Sequence, residues 1–452
     1  MDGGRGIRQS GGGGPGEGRR FLFLQGPHGP FFDRLRRAVE AEGATTLRLI
    51  VSGGDGAFWH GPRLSWRDGI EAWRDGAAAL MAREGITDLV LYGASRPGHR
   101  AALDAARRLG IVPHCFEEGY LRPWWATYER GGTNGTSPLM RLTIADMAAA
   151  LPPDGPSTPP PDRWGDLRAH VLWSAASHWA TLIGSAPGWP PHRDLPLGRE
   201  IALALAQALR LPLSAPRRRL RTARALARPG RVHAVLMQLA HDASFRDHGP
   251  FPDQRAFVRT VVEAFAEGAR PGDRLLFRAH PLEDGRDRPA RAIRDAARQA
   301  GVADRVAYLT AGRLAPLLDR AASAITVNST SAVQALWRGL PVRALGKAVY
   351  GRPELVSDQP LAGFLADPAP PDPDAFRTWR RFLLATSQLP GGFYSARGRA
   401  LLVPAAARAL LDSADGYARL LPSCPNDAPM QQVGENTSRA AADGFPPGRE
   451  AD

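Results

Sequence analysis

The amino-acid sequence predicts an α/β protein with two Rossmann-like halves and a cleft between them. Three observations lead there. Short apolar runs alternate with segments of helical periodicity, the pattern that builds parallel sheets with right-handed crossovers. The alternation comes in two blocks, separated from about Ala148 to Pro161 by a stretch rich in Pro and Ser. At 452 residues, 43% of them hydrophobic, the chain can bury more than one core, which makes two domains the natural count.

Taken in order, residues 1–19 are rich in Gly and Arg and are expected to be disordered. A first Rossmann-like domain is expected over 20–150. It opens with the apolar run RFLFL from Arg20 to Leu24, then the loop Gln25-Gly26-Pro27-His28-Gly29-Pro30. Phe31, Phe32, Leu35 and Val39 follow at helical spacing. Thr46 to Val51 and Asp88 to Tyr92 read as strands, Pro97 to Leu109 as a helix ended by Gly110, and Ile111 to Phe116 as a further strand. Residues 151–231 read as a helical connector, with apolar positions at Trp164, Trp173, Trp179 and Leu203 to Leu209. The second Rossmann-like domain, 232–372, carries strands at His233 to Leu239, Arg274 to Arg278, Val306 to Leu309, Ala324 to Val327 and Pro341 to Leu345. Helices fall between them around Gln254 to Ala266, Pro289 to Ala300, Leu314 to Ala321 and Ser331 to Arg338. Over 373–412, Asp374 to Leu384 and Ser395 to Leu411 read as closing helices that cross back to the first half. The polar, Pro-rich tail 413–452 is expected to be disordered.

Composition excludes several classes. No run approaches the roughly 18 to 20 apolar residues that span a bilayer, and the amino terminus lacks the apolar core of a secretory signal, so a cytoplasmic protein is expected. Cys115 and Cys424 are the only cysteines and show no metal-ligand spacing. The formal net charge of +13 is almost wholly Arg, since Lys347 is the only lysine, and it follows a general Ala, Gly, Pro and Arg bias. Basic and aromatic residues show no interleaved recognition motif, so nucleic acid is not an expected partner. The local exception is Pro216 to Arg231, where seven Arg interleave with Leu220, Ala225, Leu226 and Ala227. That stretch suits either an anionic membrane surface or a solvated helix face.

Chemistry-bearing residues gather at strand ends, which line the ligand crevice in open α/β sheets. Glu117-Glu118-Gly119 follows the Ile111 to Phe116 strand and places two carboxylates on a tight turn. Glycosyl transfer through an oxocarbenium-like transition state needs a carboxylate as nucleophile, stabiliser or base, and Glu118 is favoured over Glu117. Adjacent acids cannot point the same way, so one can pair with Arg122. Asn328-Ser329-Thr330-Ser331 joins a strand to a helix, where hydroxyls, free N–H groups and the macrodipole can meet a phosphate. The same residues equally suit plain helix capping. His280-Pro281 ends a neighbouring strand and could donate to that phosphate. Gln25, Gly26 and His28 let backbone and imidazole approach a ligand, without a dinucleotide fingerprint. Gln238, His241 and Asp242 form a further polar cluster at a strand end.

These motifs, in this order, resemble the capsule polysaccharide biosynthesis and export family, and within it the KpsS-type β-Kdo transferases. The resemblance runs from about Phe21 to Leu411. It is carried by Gln25-Gly-Pro-His-Gly-Pro-Phe-Phe, by Gly93 with Arg96 and His99, and by Phe-Glu117-Glu118-Gly-Tyr-Leu-Arg-Pro. Arg-Ala-His280-Pro281, Asn328-Ser-Thr and Gly-Lys-Ala-Val-Tyr complete it. It implies a GT-B-like enzyme that transfers β-Kdo from CMP-β-Kdo to a (lyso)phosphatidylglycerol acceptor with retention, starting the capsule lipid linker. It also implies that Glu118, with Glu117 beside it, is catalytic, and that His280, Ser329 and Thr330 hold the CMP phosphate. No cofactor or metal is expected. Gln25, Gly26, His28, Arg96, His99, Arg122, Gln238 and Asp242 would line the cleft and acceptor side. The implied partners are the nucleotide-sugar donor, an anionic phospholipid, the inner face of the inner membrane and other capsule assembly or export proteins. Two other readings fit the same residues: a non-catalytic export component, and a transferase or epimerase using another nucleotide sugar.

Overall fold

The structure, a computed structural model, describes residues 14–153, 173, 176–177, 180, 188–189, 214–240, 242–283 and 285–421. Most of the expected connector, His241 and the tail beyond 421 lie outside the described residues.

Two sheets form the frame. The amino-terminal sheet contains β1 (Arg20–Phe23), β2 (Thr45–Ile50), β3 (Arg63–Ser65), β4 (Asp88–Tyr92), β5 (Val112–Glu118), β6 (Trp125–Arg130) and β12 (Gln388–Pro390), in the order β12-β6-β5-β4-β1-β2-β3. The carboxyl-terminal sheet contains β7 (Val232–Leu236), β8 (Arg274–Arg278), β9 (Val306–Leu309), β10 (Ala321–Thr326) and β11 (Val342–Ala344), in the order β11-β10-β7-β8-β9. Both parallel blocks therefore follow the 3-2-1-4-5 order of a Rossmann fold, whose strand direction of growth reverses beside β1 and beside β7. The strands are near-continuous apolar runs because helices cover both faces. All five residues of β4 and of β7 are buried.

On one face of the first sheet, helix Phe31–Glu40 packs with helix Ala396–Leu411 around Phe21, Phe23, Phe116 and Phe393. On the other, helices Gly69–Arg83 and Pro97–Leu109 cover Leu22, Leu47, Leu89 and Cys115. Helix Gln254–Gly268, with helices Pro289–Gln299 and Leu361–Ala366, covers one face of the second sheet. The opposite face belongs to a cluster shared by both halves: Tyr120, Leu121, Trp125 and Met147 meet Val232, Leu276, Ala324, Tyr350 and Trp379. A buried polar knot reinforces this junction. Glu129 accepts from Tyr120 (2.9 Å), Ser137 (2.7 Å) and Tyr417 (2.6 Å), and burial still pushes its carboxyl up to about 7.

The structure corrects several expectations. The first sheet is mixed: β6 pairs antiparallel with β5, and β12 pairs antiparallel with β6. The strand expected to stop at Phe116 runs on through Glu118, held by pairing of Glu117 with Thr127 and of Glu118 with Ala126. Residues 14–19, expected to be disordered, are ordered, with Arg19 binding Asp88 (3.1 Å). Residues 413–421 are ordered too, because Tyr417 of helix Gly416–Leu420 is buried against Glu129. Within the basic stretch, residues 214–227 are helical and Arg218 is tied to Thr310 of the carboxyl-terminal half (2.9 Å), while Arg217, Arg219, Arg221, Arg224 and Arg228 are exposed.

Candidate functional site

The two sheets meet through the loops at their carboxyl ends. Arg100, in the helix after β4, pairs with Asp247, in helix Ala243–His248 after β7 (2.8 Å). The carbonyl of His248 accepts from Lys347 N–H (2.9 Å), just after β11, and its ring lies against Gly135. Next to Gly135, Asn134 donates to Glu117 Oε2 (3.4 Å). The acidic pair and the polar loops of the second sheet thus border one junction.

Glu117 and Glu118 are not on a turn. As successive residues of an extended strand they leave opposite faces, and both are half-buried. Tyr92, at the end of β4, donates its hydroxyl to Glu118 Oε1 (3.0 Å), and Tyr394 lies 3.4 Å from the Tyr92 hydroxyl. Glu117 Oε1 accepts from the Glu118 N–H (3.1 Å). Burial, with the neighbouring charge of Glu118, lifts the Glu117 carboxyl to about 7, against the pull of Arg122 and Arg96. Two glycines make the arrangement possible. Gly93 adopts φ 79° beside Glu117, and a Cβ on Gly119 would lie 2.1 Å from the Trp125 carbonyl oxygen. Arg96 stacks over the Tyr92 ring (5.7 Å), while Arg122 is exposed and acts on Glu117 through space.

At the second sheet, Ser329 is the N-cap: its hydroxyl accepts from Ser331 N–H (3.2 Å). The expected helix is a single 3-10 turn, Thr330–Ala332, followed by helix Val333–Leu336, so little macrodipole reaches this end. Hydroxyls and backbone N–H groups are what this turn offers an anion. Tyr350 fixes it by donating to the Ser329 carbonyl (2.7 Å), and Tyr350 shares the junction cluster with Tyr120 and Leu121, the segment that follows Glu118. Thr330 and Ser331 are half-buried. Half-buried His280 accepts from Leu282 N–H at Nδ1 (3.1 Å), which places the proton of the neutral ring on Nε2, the form that can donate to phosphate. Exposed Pro281 then turns the chain away.

Other expected site residues are committed to structure. Gln238 and Asn328 bind each other across β7 and β10, through Gln238 Nε2 to Asn328 Oδ1 (2.7 Å) and Asn328 N–H to Gln238 Oε1 (3.1 Å). Asn328 Nδ2 also donates to the Ser244 carbonyl (2.8 Å), which leaves its amide occupied. Asp242 caps helix Ala243–His248 through Ser244 N–H (3.1 Å). His99 points inward. Its Nδ1 donates to the Gly93 carbonyl (2.7 Å), and burial drops its pKa to about 3, so it props the β4 loop as a neutral ring. Gln25 is buried and donates to Asp55 (3.5 Å). Gly26 and His28 line a separate pocket with Arg48 and Ser52.

Sequence reasoning missed Tyr92, Tyr394, Asn134 and His248. Tyr92 ends a strand already recognised, so its register beside Phe116 was a usable signal. Tyr394 lies 276 positions beyond Glu118 and only the fold brings it back. Among the described residues no group of three His, Cys, Asp or Glu side chains is placed to hold a metal ion, and no helix is long and apolar enough to cross a membrane.

Two Rossmann-like sheets, with the candidate residues near the carboxyl ends of their strands, define an α/β protein. Residues 87–394 match the family described as capsule polysaccharide biosynthesis protein, and the chain belongs to that family. It is 28% identical over 399 residues to the capsule polysaccharide modification protein LipB of Neisseria meningitidis, covering 83% of this chain and 91% of that protein. It is 26% identical over 383 residues to the capsule polysaccharide export protein KpsS of Escherichia coli, covering 83% and 97%. Among solved structures it matches Thermosulfurimonas dismutans KpsC, a beta Kdo 2,7 transferase, at 14% identity and TM-score 0.40, covering 82% and 92%.

Proposed function

We propose that the protein is a glycosyltransferase of capsule assembly that moves β-Kdo from CMP-β-Kdo to a (lyso)phosphatidylglycerol acceptor with retention. The observation that carries this reading is Glu118, held by Tyr92 at the end of β5, where the carboxyl ends of both sheets abut. Family membership and the LipB and KpsS relatives support the capsule context; the choice of Kdo rests on the motif resemblance.

Retention calls for two displacements. Glu118 attacks the anomeric carbon, the bond from that carbon to the phosphate oxygen breaks, and CMP leaves with the electron pair. The donor phosphate is assigned to the second sheet, where His280 Nε2–H and the Ser329–Ser331 turn neutralise the departing charge. The acceptor hydroxyl then attacks the same carbon, its proton passes to Glu117, and Glu118 is released. A carboxyl lifted to about 7 suits that exchange near neutral pH. Association with the inner membrane face would bring the lipid to the cleft, and the exposed Arg side chains of 217–228 suit that role.

The test is to supply purified protein with CMP-Kdo generated in situ and with phosphatidylglycerol or its lyso form, and to follow the lipid by mass spectrometry. A product heavier by one Kdo is expected. No product from either lipid, or thermal protection by UDP and none by CMP, rejects the assignment.

A further inference from the structure

The geometry points to an acceptor subsite in the amino-terminal half, where Arg48 and the Gly26–Gly29 loop bind the phosphodiester of the acceptor. This rests on the transferase reading above and adds the place where the acceptor's charge is held.

Arg48 sits inside β2 and is only 6% exposed. A buried guanidinium normally has a paired carboxylate, because desolvating a lone charge is costly. Among the described residues Arg48 has none within ion-pair distance, and its Nε has no hydrogen-bond partner. The carboxylates whose fields reach it are engaged elsewhere. Asp55 accepts from Ser52 N–H (2.8 Å) and Ser52 Oγ (2.9 Å), and Asp33 pairs with Arg36 and Arg37. Phe32 and Trp59 flank the guanidinium at 5.7 and 5.2 Å and fix its plane.

The Arg48 guanidinium lines a solvent-open cleft between the loops that follow β1 and β2. Gly26, Gly29 and Gly54 line its wall, and His28 adds an imidazole. A guanidinium with neighbouring backbone N–H groups is the chemistry that recognises a phosphate monoanion.

Position argues for the acceptor rather than the donor. The cavity opens at the carboxyl edge of the first sheet, on the face that carries Phe116 and hence Glu118, since Phe32 touches both Phe116 and Arg48. β2 stands three strands from β5, about 14 Å at the usual spacing. Arg96 occupies the interval, and its charge acts on both Asp55 and Glu117. The groups assigned to the donor phosphate lie on the other sheet.

Titration calorimetry on the full chain tests this with the glycerol phosphate diester of the headgroup (glycerophosphoglycerol), free Kdo, inorganic phosphate and CMP as probes. The diester is expected to bind wild type, to bind Arg48→Gln at least ten-fold more weakly, and to bind Arg48→Lys with a smaller loss, since an ammonium keeps the charge but not the planar fork, with CMP affinity unchanged in both. Unchanged diester affinity in Arg48→Gln overturns the subsite. So does a loss confined to free Kdo, which would assign the pocket to the donor sugar carboxylate, or equal affinity for inorganic phosphate, which would mark a free-phosphate site. If Arg48→Gln does not fold, His28→Glu, which sets a like charge at the pocket wall, must weaken diester binding ten-fold, and no change overturns the proposal. None of these readouts needs turnover. Absent Kdo transfer with Arg48-dependent binding intact therefore rejects the reaction, not the pocket.

Discussion

The carboxyl edges of the two sheets share one strand order and carry opposite kinds of group. At β4 and β5 the amino-terminal half presents Glu117, raised to about 7 by burial, and Glu118 under the hydroxyl of Tyr92. At β7 and β10 the carboxyl-terminal half presents neutral groups, with Gln238 and Asn328 locked together and Ser329 capping a short turn. The β7–β10 edge sits where strand order reverses, the place that α/β folds leave open for ligands, and the β4–β5 edge lies one strand from the reversal between β1 and β4. On the proposed reading, the difference assigns reacting and holding to different sheets. One edge keeps two carboxylates in a partly dry setting, with the pKa of Glu117 raised to about 7. The other spends its polar groups on a rigid rim.

Variants on each side sharpen or break that division. Glu118→Gln should lower kcat on the order of 10³-fold or more while CMP affinity, measured by calorimetry, stays the same; retained turnover would remove the amino-terminal edge from the chemistry. Glu117→Gln should cost about 10²-fold and flatten the pH profile. The wild-type rate should climb from pH 6 to 8, because a base with a pKa of about 7 is competent only once deprotonated, and an identical slope in the variant would exclude Glu117 as that base. On the other side, Asn328→Ala strips Gln238 of its buried partner and should cost about 1–3 kcal/mol of stability, read from denaturant midpoints. A stable variant with weak donor binding would make Asn328 a ligand group instead. His280→Ala should be mildest, weakening CMP about ten-fold, the scale of one hydrogen bond to a charged group, with kcat for saturating donor changed far less. A loss in kcat alone would move His280 into the reaction.

The parallel framework was legible because each buried strand is a short apolar run. β4, β8 and β9 lie at the residues expected from that signal. Gly110 ends helix Pro97–Leu109 as expected, and does so in the left-handed conformation, φ 69°. β6 and β12 were not legible. β6 mixes Trp125, Tyr128 and Glu129 rather than running apolar, and β12 has three residues, so only pairing defines them. At the site, residue types at strand ends located both edges, but side-chain commitments were invisible. Nothing local distinguishes Asn328, consumed by Gln238 and Ser244, from Ser329 one position on. His99 looked like a ligand and proved to be a prop because the Gly93 carbonyl lies within its reach in space.

The return of β12 and helix Ala396–Leu411 to the first sheet carries a consequence for biosynthesis. When residues 20–150 have left the ribosome, β6 still lacks its outer neighbour and Phe31, Phe32 and Phe116 still lack the cover that Phe393 and Leu402 provide. The amino-terminal half therefore waits, with a bare strand edge and an uncovered aromatic surface, for residues made well after it, a state prone to pairing with other nascent chains. Chains interrupted before Gln388 should accumulate as aggregates rather than as a folded amino-terminal fragment, and a soluble, cooperatively melting 14–153 fragment would show that the wait is not obligatory.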